Sequence, residues 1–594
     1  MPLSRPLLAR LLAGCVVLLG VVPGLAAQQS STADAFREVV LTGDDVPLLL
    51  GTNPNRIAAF AYNGGWTPIP VQVDERERLD LGVAFDGRAA IRCDDPDVSF
   101  CFEDGGTGVT VLEYTGTAAT GLETLIGPDS NPRFDADDEV VFMARFAGAV
   151  APPDAAPDGA DAETRTSVRV GEEASPRYVY LFAIPRGTAV PRSNERLVEM
   201  DVSLLNGVFP DAYDFRGVAV SGIESGDDLG SNPETTVVET AHYQMRIRDR
   251  WIHDELRIKQ NGRLGPDLLD RFKVLLELGS CARNEWTASA NRGTLVALRV
   301  GPVRAIRVVR GFNSGPLTTG TYTFYERHTT FAIDLRVHPI PGVVEFIDYS
   351  DAALGMRYLD ALSGNASLTL DGEPDALDTE ALSSEALFWQ AVTGAPGSLV
   401  HAFALDTEWD EAPFERFWDE GQDLRQCTGD DRSIGASGVI VPSRVPATDP
   451  RRGTGEYVDL QATRAIYYSA STVTASEAEA LATALVPSVE RAITEGSIGT
   501  ERQGGGAQIE TLFPTLVRAG AAKAEIALFE ANPYDVAVYN ALGQRVFAQR
   551  VAPDSPTRIT LTLPLGDLPA GPYWLQVRSE VSGFGVSERL TVVR

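Results

Sequence analysis

The strongest constraint on how this chain can fold is the recurrence of short runs in which apolar and polar residues alternate. Such runs occupy 237–248, 251–258, 294–300, 303–310, 321–325 and 331–337. Alternation with period two places successive side chains on opposite faces of an extended strand, so one face can be buried and the other wetted. That pattern belongs to antiparallel sheets. Shorter strand candidates at 39–41, 46–50, 57–62, 69–73, 140–143 and 178–183 are separated by Gly-Asp-Asp, Asn-Pro-Asn and Asn-Gly-Gly turns. A chain of 594 residues is too long for one core. The expectation is a mostly β, multidomain protein built from antiparallel β-sandwiches. Helix is expected at 266–278 and after Thr474, where Thr474 and Glu477 make a capping box, with Pro487 kinking or interrupting the second helix.

Composition divides the chain. Residues 1–27 carry Arg5 and Arg10, an apolar stretch and a small-residue end at Ala26-Ala27, the layout of a cleavable signal peptide. Leu12, Ala13, Gly14 and Cys15 also fit a lipoprotein box, which would tether the chain instead of releasing it. An N-terminal β domain is expected over 28–150, and an acidic Pro/Ala-rich linker or loop over 151–176. A large central β-sandwich ending in a helix follows over 177–496, then a Gly-rich linker over 497–511 and a small Ig-like sandwich over 512–594. No later apolar run is long enough to cross a membrane as a helix.

The 82 acidic side chains outnumber 51 basic ones, for a formal net charge of −31. Such a surface repels phosphate backbones, which excludes nucleic acid as the expected partner. Four cysteines remain beyond the signal peptide, an even number in an exported chain; of the three pairings they allow, the local bridge Cys93–Cys101, which leaves Cys281–Cys427, is the expected one. Their spacings do not match a zinc site.

Near the C-terminus, Val536, Val538 and Tyr539 lead into a turn at Asn540 to Gly543. A Leu568, Gly571, Tyr573 turn then enters an aromatic strand, and Glu588 to Arg594 forms a last basic-apolar strand. These residues resemble the C-terminal sorting domain of the type IX secretion system. The resemblance covers the tail alone, and it implies delivery to the cell surface or outside the cell by that machinery. Farther upstream, Gly301-Pro302, Phe324 to Arg327 and Arg336 to Gly342 resemble uncharacterised exported bacterial proteins. The strand rhythm there is similar to the β-supersandwich of mutarotase-like and polysaccharide-lyase domains, which implies a fold and assigns no residue a role.

Two constellations suggest chemistry. Asp129, Asn131, Asp135, Asp137 and Glu139 gather oxygen ligands of the kind calcium needs, with Asp74 and Glu75 as further donors if the two turns meet. The register departs from an EF-hand, and a solvated acidic turn without an ion is the competing reading. Tyr325, Arg327, His328 and His338 would, if gathered in a groove, suit proton abstraction beside a uronate carboxylate, while Glu326 and Asp348 would suit hydrolysis. Polar residues on the wet face of a strand would give the same pattern without catalysis. Trp286, Trp389, Trp409, Trp418, Phe414 and Phe417 read as sugar-stacking platforms or as core. Metalloprotease, serine-hydrolase, P-loop and dinucleotide motifs are absent from the sequence. The chain reads as an exported or surface protein whose body binds or processes glycans, or else as a non-enzymatic structural or adhesive protein, and the sequence leaves catalysis open.

Overall fold

The computed structural model describes residues 36–80, 110–115, 129, 131–170, 176–204, 234–248, 251–275, 284–285, 294–312, 315–337, 342–362, 367–375, 387–407, 415–420, 434–442, 458–496, 507–513, 516–517, 521–528, 533–540, 545–553, 555, 557–565, 568–569, 571–579 and 585–592. Cys93, Cys101, Cys281, Cys427, His338, Trp286, Trp409, Phe414 and the expected signal peptide lie outside them. The protein is mostly β, with several antiparallel sheets and, among the described residues, one α-helix. No helix among those residues is long and apolar enough to cross a membrane.

The N-terminal region is a sandwich of two small sheets. One orders strands Glu38–Thr42, Glu139–Met143 and Gln72–Asp74; the other orders Trp66–Ile69, Ile57–Tyr62, Arg177–Ala183 and Thr166–Val170. Two boundaries therefore differ from the sequence reading. Part of the acidic stretch 151–176 is a strand, and Arg177–Ala183 pairs with Ile57–Tyr62 of the N-terminal unit. The strand expected at 46–50 is instead a 3-10 turn at Pro47–Leu49, because Pro47 fixes the backbone where a strand would need an amide donor.

Strand Glu139–Met143 is buried along its whole length and uses its alternation twice. Val140 and Phe142 pack into the N-terminal core with Ile57, Ile69 and Leu181. Val141 and Met143 face the other way, into the central core. One strand thus belongs to two cores, and it docks the N-terminal sandwich on the body.

In the body, a nine-stranded antiparallel sheet runs from Thr294–Val300 to Leu368–Thr369, with Val458–Ser469 at its centre. Facing it are a five-stranded meander, Val198–Leu204 to Arg263–Asp267, and a four-stranded sheet containing Leu269–Leu275 and Gly342–Tyr349. The core between them holds Met245, Ile247, Trp251, Phe272, Phe324, Phe331, Phe403 and Tyr468, among others. Over its described part, 266–275, the helix expected at 266–278 is replaced by strands. In Leu269–Leu275 the pattern has period two: Phe272 and Val274 point into the central core, while Lys273 between them turns to Asp348 at 2.6 Å.

The outer face of the large sheet is covered by helix Ala475–Gly496. Its capping box forms: the Thr474 amide donates to Glu477 Oε2 at 2.8 Å, and Thr474 Oγ1 accepts from the Glu477 amide at 3.3 Å. Ala478, Leu481, Ala482 and Leu485 make one apolar stripe on Trp389, Val400, Ala402 and Tyr467. The helix continues past Pro487 without interruption.

The C-terminal strands make a second sandwich. Ala507–Phe513, Ala521–Leu528 and Thr557–Pro564 form one sheet; Leu516–Val517, Gly585–Val592, Gly571–Ser579, Tyr534–Asn540 and Arg545–Val551 form the other. Its first strand starts at Ala507, inside the stretch read as linker. Ile526, Leu528, Tyr534, Val536, Val538, Leu563, Tyr573, Leu575 and Val577 fill a core that shares no residue with the cores of the body.

Candidate functional site

Tyr325 and His328 close the hairpin between strands Gly315–Phe324 and His328–Val337. They do come together, with ring centroids 4.6 Å apart and nearly parallel planes, but they are buried where the N-terminal sandwich meets the body. His328 Nε2 lies 3.3 Å from Glu38 Oε2. Tyr325 Oη accepts from Arg304 Nη1 at 3.3 Å, and its carbonyl accepts from the Tyr243 hydroxyl at 2.9 Å. Arg327 is half-buried, its Nη1 3.5 Å from the Tyr467 hydroxyl. Glu326 and Asp348 are committed to separate ion pairs, with Arg145 at 2.9 Å and with Lys273. The described members of that constellation therefore line no shared groove.

Arg304 explains why. It is 2% exposed, and it reaches across the docking interface to Asp74 Oδ2 at 2.9 Å and to Glu139 Oε2. Gln72 Oε1 accepts the amides of Val303 and Arg304, and Arg76 pairs with the other oxygen of Glu139 at 2.9 Å. The facing carboxylates hold the Arg304 guanidinium well above its ordinary range despite burial. This network is a lock between two units.

The acidic turn is placed by close backbone contact. Gly43 donates to Asp138 O at 2.9 Å, and a Cβ at Gly43 would meet Asp135 O at 1.8 Å, so only glycine permits this approach. Ligand oxygens of Asp135, Asp137 and Asp138 lie within 4.8 Å of one another. Asn131 Nδ2 donates to Asp135 Oδ2, and Asp129 Oδ1 accepts from the Asn131 amide, both at 2.7 Å. Burial first, then neighbouring carboxylates, push Asp137 up to about 6; burial, aided by Asp135 and Asp129, pushes Asp138 up to about 7. Glu139 does not belong to this set, because strand alternation turns its carboxylate inward to Arg76 and Arg304. Asp138, which the sequence-based ligand set omits, takes its place beside Asp135 and Asp137.

A constellation that sequence reasoning missed lies on the inner face of the large sheet. Register aligns Phe403, Arg464, Phe331, Tyr322 and Arg307 in one row across five strands. The Arg464 guanidinium lies over the Phe272 ring, 3.7 Å from its centroid, and its Nη2 is 3.3 Å from Glu345 Oε1. Its Nε and Nη1 are buried without a hydrogen-bond partner. Desolvation holds its pKa below the ordinary arginine value even with Glu345 beside it, and desolvation also raises Glu345. His253 approaches Tyr322 to 4.9 Å and Phe272 to 5.2 Å between centroids. Burial and the positive charge of Arg464 keep His253 and His401 well below the usual histidine range, with Arg307 adding to the effect on His253. Neither ring nitrogen of His401, nor His253 Nε2, has a partner. A buried cation with two unpartnered nitrogens beside two neutral imidazoles leaves hydrogen-bonding capacity unmet inside the core of the body. A local signal was available: Arg464, Arg307, Glu345, His401 and Gln390 all occupy the apolar phase of their strands.

Among the aromatics, Trp389 packs under the helix, Phe417 lies 4.8 Å from Phe346, and Trp418 lies 4.4 Å from Tyr358, so these three fill core. No protein-family model matches the chain, and no curated protein matches it. Among solved structures, the chain is similar to a putative aldose 1-epimerase from Escherichia coli K12, with 12% identity over 38% of this chain and 96% of that one and a TM-score of 0.20. A chondroitinase AC lyase is similar at 7% identity over 61% of this chain and 51% of the lyase, TM-score 0.17. PorZ, a surface component of the type-IX secretion system of Porphyromonas gingivalis, is similar at 9% identity over 76% and 66%, TM-score 0.12.

Proposed function

We propose that this is an exported surface protein in two working parts: a C-terminal sandwich that serves as a type IX sorting module, and a β-sandwich body that binds or processes carbohydrate. The observation that carries the reading is the separate core of the C-terminal strands. Tyr534, Val536 and Val538 pack against Leu563, Leu575 and Val577, and among the described residues the body lends none to this core. An address read by export machinery has to fold without its cargo, and this arrangement permits that. Tyr539 and Asn540 end one strand, and the Tyr573 hydroxyl fixes the preceding turn by donating to Pro569 O at 2.9 Å, which supports this reading.

Deleting 507–594 should retain the protein in the periplasm, read by fractionation and by protease accessibility on whole cells. Unchanged surface delivery of the truncated chain would remove the sorting role.

For the body, the Arg464, His253 and His401 cluster supports a polar ligand. A second reading, a structural or adhesive protein, draws on the way Tyr325 and His328 are consumed in the docking lock. Calcium held at Asp135, Asp137 and Asp138 suits either, since a bound ion would stiffen the turn beside that lock.

A further inference from the structure

The 3-10 turn Pro54–Arg56 projects between two clefts with an unusual charge. One, of about 370 Å³, is lined by Arg56, Arg133 and Arg186 with Asp161 as its one carboxylate, and Pro132 and Pro185 help to form its walls. The other, of about 230 Å³, carries Arg192 and Arg299, and Asp74 there is shared between Arg299 at 3.5 Å and Arg304 at 2.9 Å. Five arginines around one turn run against the trend of a chain with formal net charge −31.

Backbone acceptors hold two guanidinium groups of the larger cleft. Arg56 Nη1 donates to Ile184 O at 3.0 Å, and Arg133 Nη1 donates to Gly51 O at 2.9 Å. Each contact uses one of the five N–H donors of an arginine, which fixes the fork and leaves other donors for a ligand. Arg186 stands exposed at the same cleft. Behind the turn, Arg192 donates to the carbonyls of Asn55 at 2.7 Å and Ile57 at 3.1 Å, and burial together with the charge of Arg56 lowers its pKa. The charge of Arg56 thus reaches Arg192, and their fields overlap. A planar fork held in place is what bidentate recognition of an oxyanion needs, and the volume accommodates about one sugar ring.

We propose that the Arg56, Arg133 and Arg186 cleft binds a small oxyanion, a carboxylate or sulfate, either free or carried on a single sugar ring. The site lies on the N-terminal sandwich and does not depend on the body being a carbohydrate protein. Its affinity has to come from short-range contacts, because the distant acidic surface repels anions.

The test is calorimetric titration of the full chain with sodium sulfate, galacturonate and neutral galactose, repeated on R133Q and R186Q. Both arginines are exposed at the cleft, so the variants should keep the wild-type melting curve, which is measured alongside. At least one anion should bind, and each substitution should weaken it about tenfold, the loss of one charge-assisted contact. Galacturonate binding tighter than sulfate identifies the sugar-borne group; equal affinities identify the free ion. Absence of binding by both anions, equal binding by galactose, or unchanged affinity in R133Q and R186Q would each overturn the proposal. Sulfate binding without preference for galacturonate keeps this site while the carbohydrate reading of the body stands or falls separately.

Discussion

Arg304 and Arg464 are both 2% exposed, both sit on strands or turns of the same large sheet, and their surroundings differ in kind. Arg304 is enclosed by Asp74, Glu139, the Tyr325 hydroxyl and a backbone clamp from Gln72, and its charge is held firmly. Arg464 has one acid, Glu345, two unpartnered nitrogens and two histidines that burial first, and then nearby arginine charge, hold well below the usual histidine range. Burying a guanidinium is costly, and only full pairing offsets the cost. A completed network therefore marks a joint in the scaffold, and an incomplete one marks a place where the fold tolerates a cost. Tolerated cost of that sort concentrates at sites with work to do.

The largest effect should come from the complete network. R304M takes from Asp74 and Glu139 the cation they share in the docking interface, leaving Asp74 with Arg299 and Glu139 with Arg76, and should cost about 3–5 kcal/mol, the usual penalty for breaking a buried pair from one side. Chemical denaturation reads this directly, and a loss below about 1 kcal/mol would end the claim that Arg304 locks the two units. Next comes the incomplete network. In R464M/E345Q both charges leave together and methionine keeps contact with Phe272, so stability should change by less than about 1.5 kcal/mol. Binding on a glycan array, or release of unsaturated sugar if the body is a lyase, should fall sharply in the same variant. If its stability falls as far as that of R304M while glycan binding is intact, the two arginines are of one kind and the contrast dissolves.

Much of this architecture was legible because period-two alternation is a local property. The strands around Tyr322, Phe331 and Val577 announce themselves within a few residues. What alternation cannot reveal is which surface covers a strand. Tyr325 and His328 read as groove residues or as polar groups on a wet face, yet Arg304, itself held by Asp74 and Glu139, covers Tyr325, and Glu38 meets His328, from residues far away in sequence. Arg464 was passed over for the opposite reason. In the run that ends Thr463, Arg464, Ala465, Ile466, Tyr467, Tyr468, its side chain shares the inward phase of Ile466 and Tyr468, and only sheet register supplies Phe331, Phe403 and Glu345 around it. The helix expected at 266–278 failed because a short apolar run satisfies either period, and pairing with Gly342–Tyr349 decided it.

The acidic turn repeats the Arg464 contrast with the sign reversed, and the effect expected there is the smallest. Asp137 and Asp138 sit at about 6 and about 7 in the folded protein, against an ordinary value of 3.8. The fold thus favours their protonated forms. The stability they contribute is complete below pH 3.8 and is lost as pH rises through 6 and then 7, where the carboxylates must ionise beside Asp135. Without divalent ions the melting temperature should therefore slope downward from mildly acid to mildly alkaline pH. Calcium binds the ionised form, so it should restore several degrees at pH 8 and almost nothing at pH 5. D137N removes one of the crowded charges, and it should flatten the pH slope and abolish the calcium response together. An identical melting curve at pH 8 in calcium and in chelator would leave the turn as a solvated bend whose crowding serves no ion, and under-compensation would then be diagnostic only for the buried arginine.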